Sequence, residues 1–263
     1  MTAPGENAYL PGFFSRTIPL ATLFGIKLRI SISILALFAA LAIHAAYTSF
    51  SAGRGGIFEH MALLLLVLAL FVCMFLHELG HALLAALRGF RPHMIALSFV
   101  GMTSFERKDA RPADEWLIAM GGPLVNLLLG AGILSFVHAP DSGHVIDGWY
   151  VPTHTTPVGL AWWIGAANLA IAVFNMLPLF PLDGSRVALG MLSGMFARRQ
   201  AMRAVLIWSI VCGAGIVIAV AGMLFTGGFE ANALHIVLLV LAWVTMSASV
   251  RAFAAMRVDG HSA

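Results

Sequence analysis

The sequence predicts an all-α, polytopic membrane fold of about six transmembrane helices, with a small β-hairpin or sheet beside them. Three observations carry that reading. The 263 residues are 60% hydrophobic and 10% charged, with a mean hydropathy of +0.92, whereas soluble domains are about half apolar and a quarter charged. The apolar residues gather into six long stretches. The basic residues gather on one set of the segments that connect them.

Taken in order, Met1 to Pro11 is polar and precedes no small-residue cleavage pattern, so a cleavable signal peptide is not expected. The six stretches are Ile30–Tyr47, Met61–Leu87, Trp116–His138, Leu160–Leu179, Ala204–Phe225 and Leu234–Ala255. Each is near the roughly 20 residues that span a bilayer as a helix. Each is also too long for a strand and too apolar all round for a surface helix. Between the second and third, Met94–Phe105 carries strand-forming residues around Gly101 and predicts a hairpin. Cys73 and Cys212 both lie in apolar runs, which argues against a disulfide framework. The short connections leave no room for a soluble domain. Residues 1–263 therefore read as a single membrane-embedded domain, with a core at about 61–189 and extra helices at 30–47, 204–225 and 234–255.

Orientation follows from charge. Of the 15 Lys and Arg, 14 fall on one set of segments, and Arg54 alone falls on the other. The loops Ala139–Val158 and Thr226–Ala233 have none. Positive residues are retained on the cytoplasmic side, so both termini are expected there. The basic clusters thereby read as topology signals, and a nucleic-acid partner is not expected.

The chemical signal lies in the second stretch, as His77-Glu78-Leu79-Gly80-His81. Helix positions i and i+4 share a face, so the two imidazoles can serve one metal ion. Glu78 projects about 100° round from His77, near the ion without being an obvious ligand, as a general base requires. Charged and polar groups in an apolar span are costly unless satisfied. A pair of histidines bonded to neighbouring helices is the bland alternative. A haem pair fits poorly, because axial ligands approach from opposite faces. Cys73, one turn earlier, reads as packing.

A third ligand must come from elsewhere, and Asp183 is the candidate. It ends the run Asn175-Met-Leu-Pro-Leu-Phe-Pro-Leu-Asp183-Gly184, where Pro178 and Pro181 break the fourth span. Irregular backbone at membrane depth belongs where it lines a cavity or is buried in protein. The competing reading makes Asp183 a cap for a short helix, Gly184 to Phe196. The second and fourth spans run in the same direction, so both parts of the site would lie at similar depth, near the cytoplasmic end.

These residues resemble the site-2 protease family of intramembrane zinc metalloproteases, peptidase family M50. The match rests on the HELGH helix, the Asn-x-x-Pro-x-x-Pro-Leu-Asp-Gly segment, and Gly122-Pro123-Leu124-Val125-Asn126 between them. It looks like the compact branch, because loops of about 20 residues and a tail of eight after Ala255 leave no room for PDZ or CBS domains. The resemblance implies one Zn2+ per chain held by His77, His81 and Asp183, with Glu78 as catalytic base. It implies that Asn175 holds substrate or steadies the developing oxyanion.

The implied activity is that of a zinc metalloendopeptidase, cutting a peptide bond in or next to a transmembrane segment with zinc-activated water. The implied partners are a transmembrane or membrane-associated protein substrate and the lipid bilayer. The implied location is a bacterial inner membrane, and the implied process is regulated intramembrane proteolysis. Asn126 and Asn168 are read either as lining the water and substrate path or as interhelical glue. The hairpin either adds the unwound substrate as a strand or only packs over the helices. His144 and His154 read as loop residues. A membrane metal-ion transporter using the same His/Asp cluster is the rival function; it should show ligands strung across the bilayer and inverted repeats. A non-catalytic scaffold would leave Glu78 unexplained.

Overall fold

The computed structural model describes residues 16–23, 25–51, 57–97, 102–105, 111–138, 143–146, 149–152, 156–225 and 233–258. Among them are the helices α1 (Ile32–Ser51), α2 (Ile57–Leu87), α3 (Pro112–Phe136), α4 (Pro157–Asn175), α5 (Asp183–Ser193), α6 (Arg198–Phe225) and α7 (Ala233–Val258). Five of these helices (α2, α3, α4, α6 and α7) are long and apolar enough to cross a membrane. The 20-residue α1 stands on the first apolar stretch.

The helix ends differ from the apolar boundaries for local reasons. Helix α3 starts at Pro112, whose missing N–H costs nothing in a first turn, and Asp114 accepts the Arg111 N–H at 2.9 Å. Helix α4 starts at Pro157, with Thr156 as cap accepting from Gly159 N at 3.0 Å. It stops at Asn175 rather than Leu179, because Pro178 disfavours helical backbone at the residue before it. Helix α2 ends on Gly89 at φ 84°. There Phe90 N donates to Ala85 O and Gly89 N to Ala86 O, both at 2.9 Å, while Phe90 packs with Ala85 and Ile118. That is a Schellman closure.

The first apolar stretch needs a correction at its start, since Ile30 and Ser31 belong to a strand. Four strands form one sheet in the order β1 (Thr17–Leu23), β2 (Ile26–Ser31), β3 (Pro92–Leu97), β4 (Met102–Phe105). The β3–β4 pair is the expected hairpin, antiparallel; its residues 98–101 lie outside the described ones. Strands β1 and β2 were not expected. Their signal was the period-two alternation Ile26-Lys27-Leu28-Arg29-Ile30, which the basic residues made readable as a topology flank. Strand β2 runs parallel to β3, joined through α1 and α2. Ile30, Ile34 and Leu97 bury with Phe38, Phe71, Met74 and Phe75. The sheet is thereby seated on the turn of α2 just before His77. A second hairpin, β5 (Gly143–Ile146) with β6 (Trp149–Pro152), includes His144; His154 lies outside the described residues.

Helix α3 is the centre of the bundle, packed against α2, α4 and α5. At the α2–α3 crossing a Cβ on Gly80 would fall on the backbone of Gly121, and the reverse holds too, so the helices touch main chain to main chain. Two of the basic residues also hold helices together here. Arg88, ending α2, pairs with buried Asp114, and Arg198, opening α6, pairs with buried Glu115. The end of α2 and the starts of α3 and α6 are therefore held together.

Candidate metal centre

His77, Glu78, His81 and Asp183 are all buried. His77 Nε2 lies 3.0 Å from Asp183 Oδ2, His81 Nε2 lies 3.2 Å from it, and the two nitrogens are 3.3 Å apart. Four ligands around zinc at its usual N and O bond lengths are separated by about 3.3 Å. One donor atom each from His77, Glu78 and His81 also falls within 4.8 Å of the others.

The hydrogen bonds behind the imidazoles define which nitrogen faces the site. Asn168 Nδ2 donates to the Ile164 carbonyl at 2.8 Å, a group that can only accept. Asn168 Oδ1 then accepts from Asn126 Nδ2 at 2.7 Å, which leaves Asn126 Oδ1 facing His77 Nδ1 at 2.6 Å. The His77 proton is accordingly on Nδ1. His81 Nδ1 stands 2.8 Å from the Ile118 carbonyl and carries a proton for the same reason. Nε2 is therefore the nitrogen of each ring that faces the Asp183 carboxylate, and a neutral imidazole held this way offers its lone pair there. Two imidazoles and a carboxylate converging this closely form a donor set that suits Zn2+. The chain also leaves space there: a Cβ at Gly122 would stand 2.5 Å from both Nε2 atoms.

Asp183 reaches the histidines because the backbone after α4 is irregular. Phe180 N donates to Ser209 Oγ of α6 at 2.7 Å, and Leu182 N donates to Leu179 O at 2.8 Å. Gly184 lies so close to the carbonyls of Met176 and Leu177 that no side chain would fit. The cap position of α5 is Leu182, and Asp183 opens the helix with its carboxylate turned to the histidines. The capping reading of Asp183 does not describe it. The short helix is also shifted, to Asp183–Ser193 rather than Gly184–Phe196.

Two asparagines named from the sequence flank the histidines and the end of α4. Asn126 is fully buried with both ends of its amide engaged, to His77 and to Asn168. It backs a metal-ligand candidate, with its amide oxygen on His77 and its amide nitrogen on Asn168. Asn175 is half-buried in the last turn of α4, its Nδ2 donating to Ile171 O at 3.0 Å. Sequence reading missed Arg186, which is buried with Nη1 4.0 Å from Asp183 Oδ1. Its signal was the i, i+3 spacing from Asp183, masked by its use as a topology charge. Gly122 was read as part of a motif landmark without its steric purpose, and Gly121 was not singled out.

The model of "Peptidase M50B-like" proteins matches residues 39–149, and that of "Peptidase family M50" matches residues 145–222. The chain is 34% identical over 125 residues to "Putative zinc metalloprotease sll0528" of Synechocystis, covering 47% of this chain and 30% of that protein. It is 30% identical over 128 residues to zinc metalloprotease MJ0392 of Methanocaldococcus jannaschii, covering 49% of this chain and 34% of that one. The chain thus spans about a third of the length of these relatives. Among solved structures, the site-2 protease from Methanocaldococcus jannaschii superposes with a TM-score of 0.60 at 22% identity, over 90% of this chain and 94% of that one. The two share a fold.

Proposed function

We propose, on the matches to the M50 and M50B-like family models, that the chain is an intramembrane zinc endopeptidase of peptidase family M50, cutting a peptide bond in or beside a transmembrane segment of a protein substrate. The observation that carries the reading is the convergence of His77 Nε2, His81 Nε2 and Asp183 Oδ2 at 3.0–3.3 Å, with the Glu78 carboxylate beside them. His77, His81 and Asp183 would hold the ion. Zinc in such a set supplies Lewis acidity, lowering the pKa of water towards about 7 and polarising a carbonyl.

The remaining steps fall to the chain's own groups. Glu78 takes a proton from the attacking water on its carboxylate and delivers it to the leaving amine nitrogen as the C–N bond breaks. Asn175, at the end of α4, contacts the substrate backbone and the developing oxyanion once its amide leaves Ile171 O. The buried setting of the four residues limits bulk water around the reacting carbonyl. The substrate helix unwinds locally, because a helical carbonyl is already hydrogen-bonded. Strand β4, at one edge of the sheet, offers the extended segment a backbone ladder.

Both termini and the site lie towards the cytoplasm in this reading, supported by the basic residues and the ion pairs that join the ends of α2, α3 and α6. Residues 1–263 act as one membrane-embedded unit. A transporter would string its ligands along a path, whereas the ligand candidates described here meet at a single point.

The test is Glu78→Gln in purified protein offered a membrane-protein substrate. Zinc stays bound and cleavage is lost. Cleavage at the wild-type rate by that variant overturns the mechanism, and zinc transport by wild type without cleavage overturns the function.

A further inference from the structure

A buried chain of side chains runs behind the metal-ligand candidates and takes no part in the proposed reaction. Asn168 Nδ2 donates to Cys73 Sγ at 3.1 Å as well as to Ile164 O, Asn126 Nδ2 donates to Asn168 Oδ1, and His77 Nδ1 donates to Asn126 Oδ1. The path leaves α2 at Cys73, crosses α4 and α3, and returns to α2 at His77. Both asparagines are fully buried. Unpaired amides there would be costly, and every amide oxygen and nitrogen in the chain has a partner.

The direction of the chain is not arbitrary. Turning the Asn168 amide over would set its oxygen against the Ile164 carbonyl. Turning Asn126 over would set an N–H against His77 Nδ1, which could then hold no proton, and the proton would move to Nε2. The Ile164 carbonyl, two side chains away, thus governs where the His77 proton sits. His81 differs, because its Nδ1 rests on the Ile118 carbonyl, which cannot be turned over.

We infer that Asn126 and Asn168 are positioning residues that hold His77 with its proton on Nδ1 and so keep Nε2 free for the metal. The inference rests on the metal-site reading above. Hydrogen-bond partners behind a ligating imidazole typically carry 10–100-fold in metal affinity. The bland alternative is that the amides only glue three helices together.

The experiment uses the full chain in detergent, with zinc affinity measured by chelator competition and stability by thermal unfolding of the zinc-free protein. Asn126→Leu removes the acceptor, and zinc binding weakens by about 10–100-fold. Asn126→Asp keeps an oxygen for the His77 Nδ1–H but faces Asn168 Oδ1 with a second acceptor, so its melting temperature falls while its zinc affinity holds. Asn168→Leu frees Asn126 to turn, weakens zinc binding in the same direction, and adds nothing to Asn126→Leu in the double variant.

Affinity that simply tracks melting temperature across the set overturns the inference, as does an Asn126→Asp protein no better than Asn126→Leu. Should Asn126→Leu fail to fold, Asn126→Asp and Asn168→Leu still decide, since glue predicts parallel losses in both measurements. Wild-type protein that binds no zinc, or zinc binding that survives His77→Ala, overturns the metal-site reading itself, and the asparagine assignment with it.

Discussion

Gly122→Ala is the most exacting test of the site's geometry, because it adds one methyl group and no charge. The new Cβ would stand 2.5 Å from Nε2 of both His77 and His81, and 2.6 Å from His77 Cδ2. Ordinary contacts to a Cβ begin at 3.4 Å, so each imidazole must retreat by about 0.9 Å or α3 must lift away. Neither movement is cheap. The rings are held from behind by Asn126 and the Ile118 carbonyl, and α3 meets α2 main chain to main chain at Gly80 and Gly121. Functional constellations tolerate displacements of about 0.5 Å, and a misplacement near 1 Å costs on the order of 100-fold.

The expected outcome is zinc affinity lowered by about 100-fold or more, with cleavage lost in parallel. Bound zinc is measured by elemental analysis after gel filtration, and affinity by chelator competition. Gly132→Ala is the control on the same helix: nothing lies within 4 Å of its Cβ position. Exposed glycine in a helix gives way to alanine with a gain of about 0.5–1 kcal/mol. Gly122→Ala protein with wild-type zinc affinity would refute the placement of the ion between the two Nε2 atoms.

Three further outcomes rest on the same packing. Gly80→Ala drives a Cβ into the Gly121 backbone, which cannot rotate aside, and should lower stability by about 1–3 kcal/mol in thermal unfolding. Arg186→Gln removes the guanidinium 4.0 Å from Asp183 Oδ1; zinc affinity should fall by about 10-fold or more, with Arg186→Lys recovering part of it. Chelation should abolish cleavage, restored by added zinc, and should lower the melting temperature. At free zinc 100-fold above its dissociation constant, the lost stabilisation is about 2.7 kcal/mol.

Much of the site was legible in the chain because its signals are local. His77 and His81 share a helix face by spacing alone, and Pro178 and Pro181 announce the break that frees Asp183. The strands β1 and β2 were less legible, since Lys27 and Arg29 carry a topology signal and a strand alternation in the same residues. Arg186 was hidden in the same way. Its charge counts equally towards topology whether the side chain is in solvent or buried beside Asp183.

The sequence by itself determined that the chain is a bundle of apolar helices carrying an HExxH pair and a later Asp, because hydropathy and helical period are properties of neighbouring residues. The tertiary structure alone decided which ring nitrogens of His77 and His81 face the site, why Gly122 has no side chain, and that Asn126 stands behind His77. Those answers depend on atoms 37 to 106 residues apart, in Asn168, Ile118 and Asp183. Only the packing of α2, α3, α4 and α5 brings these within hydrogen-bond distance.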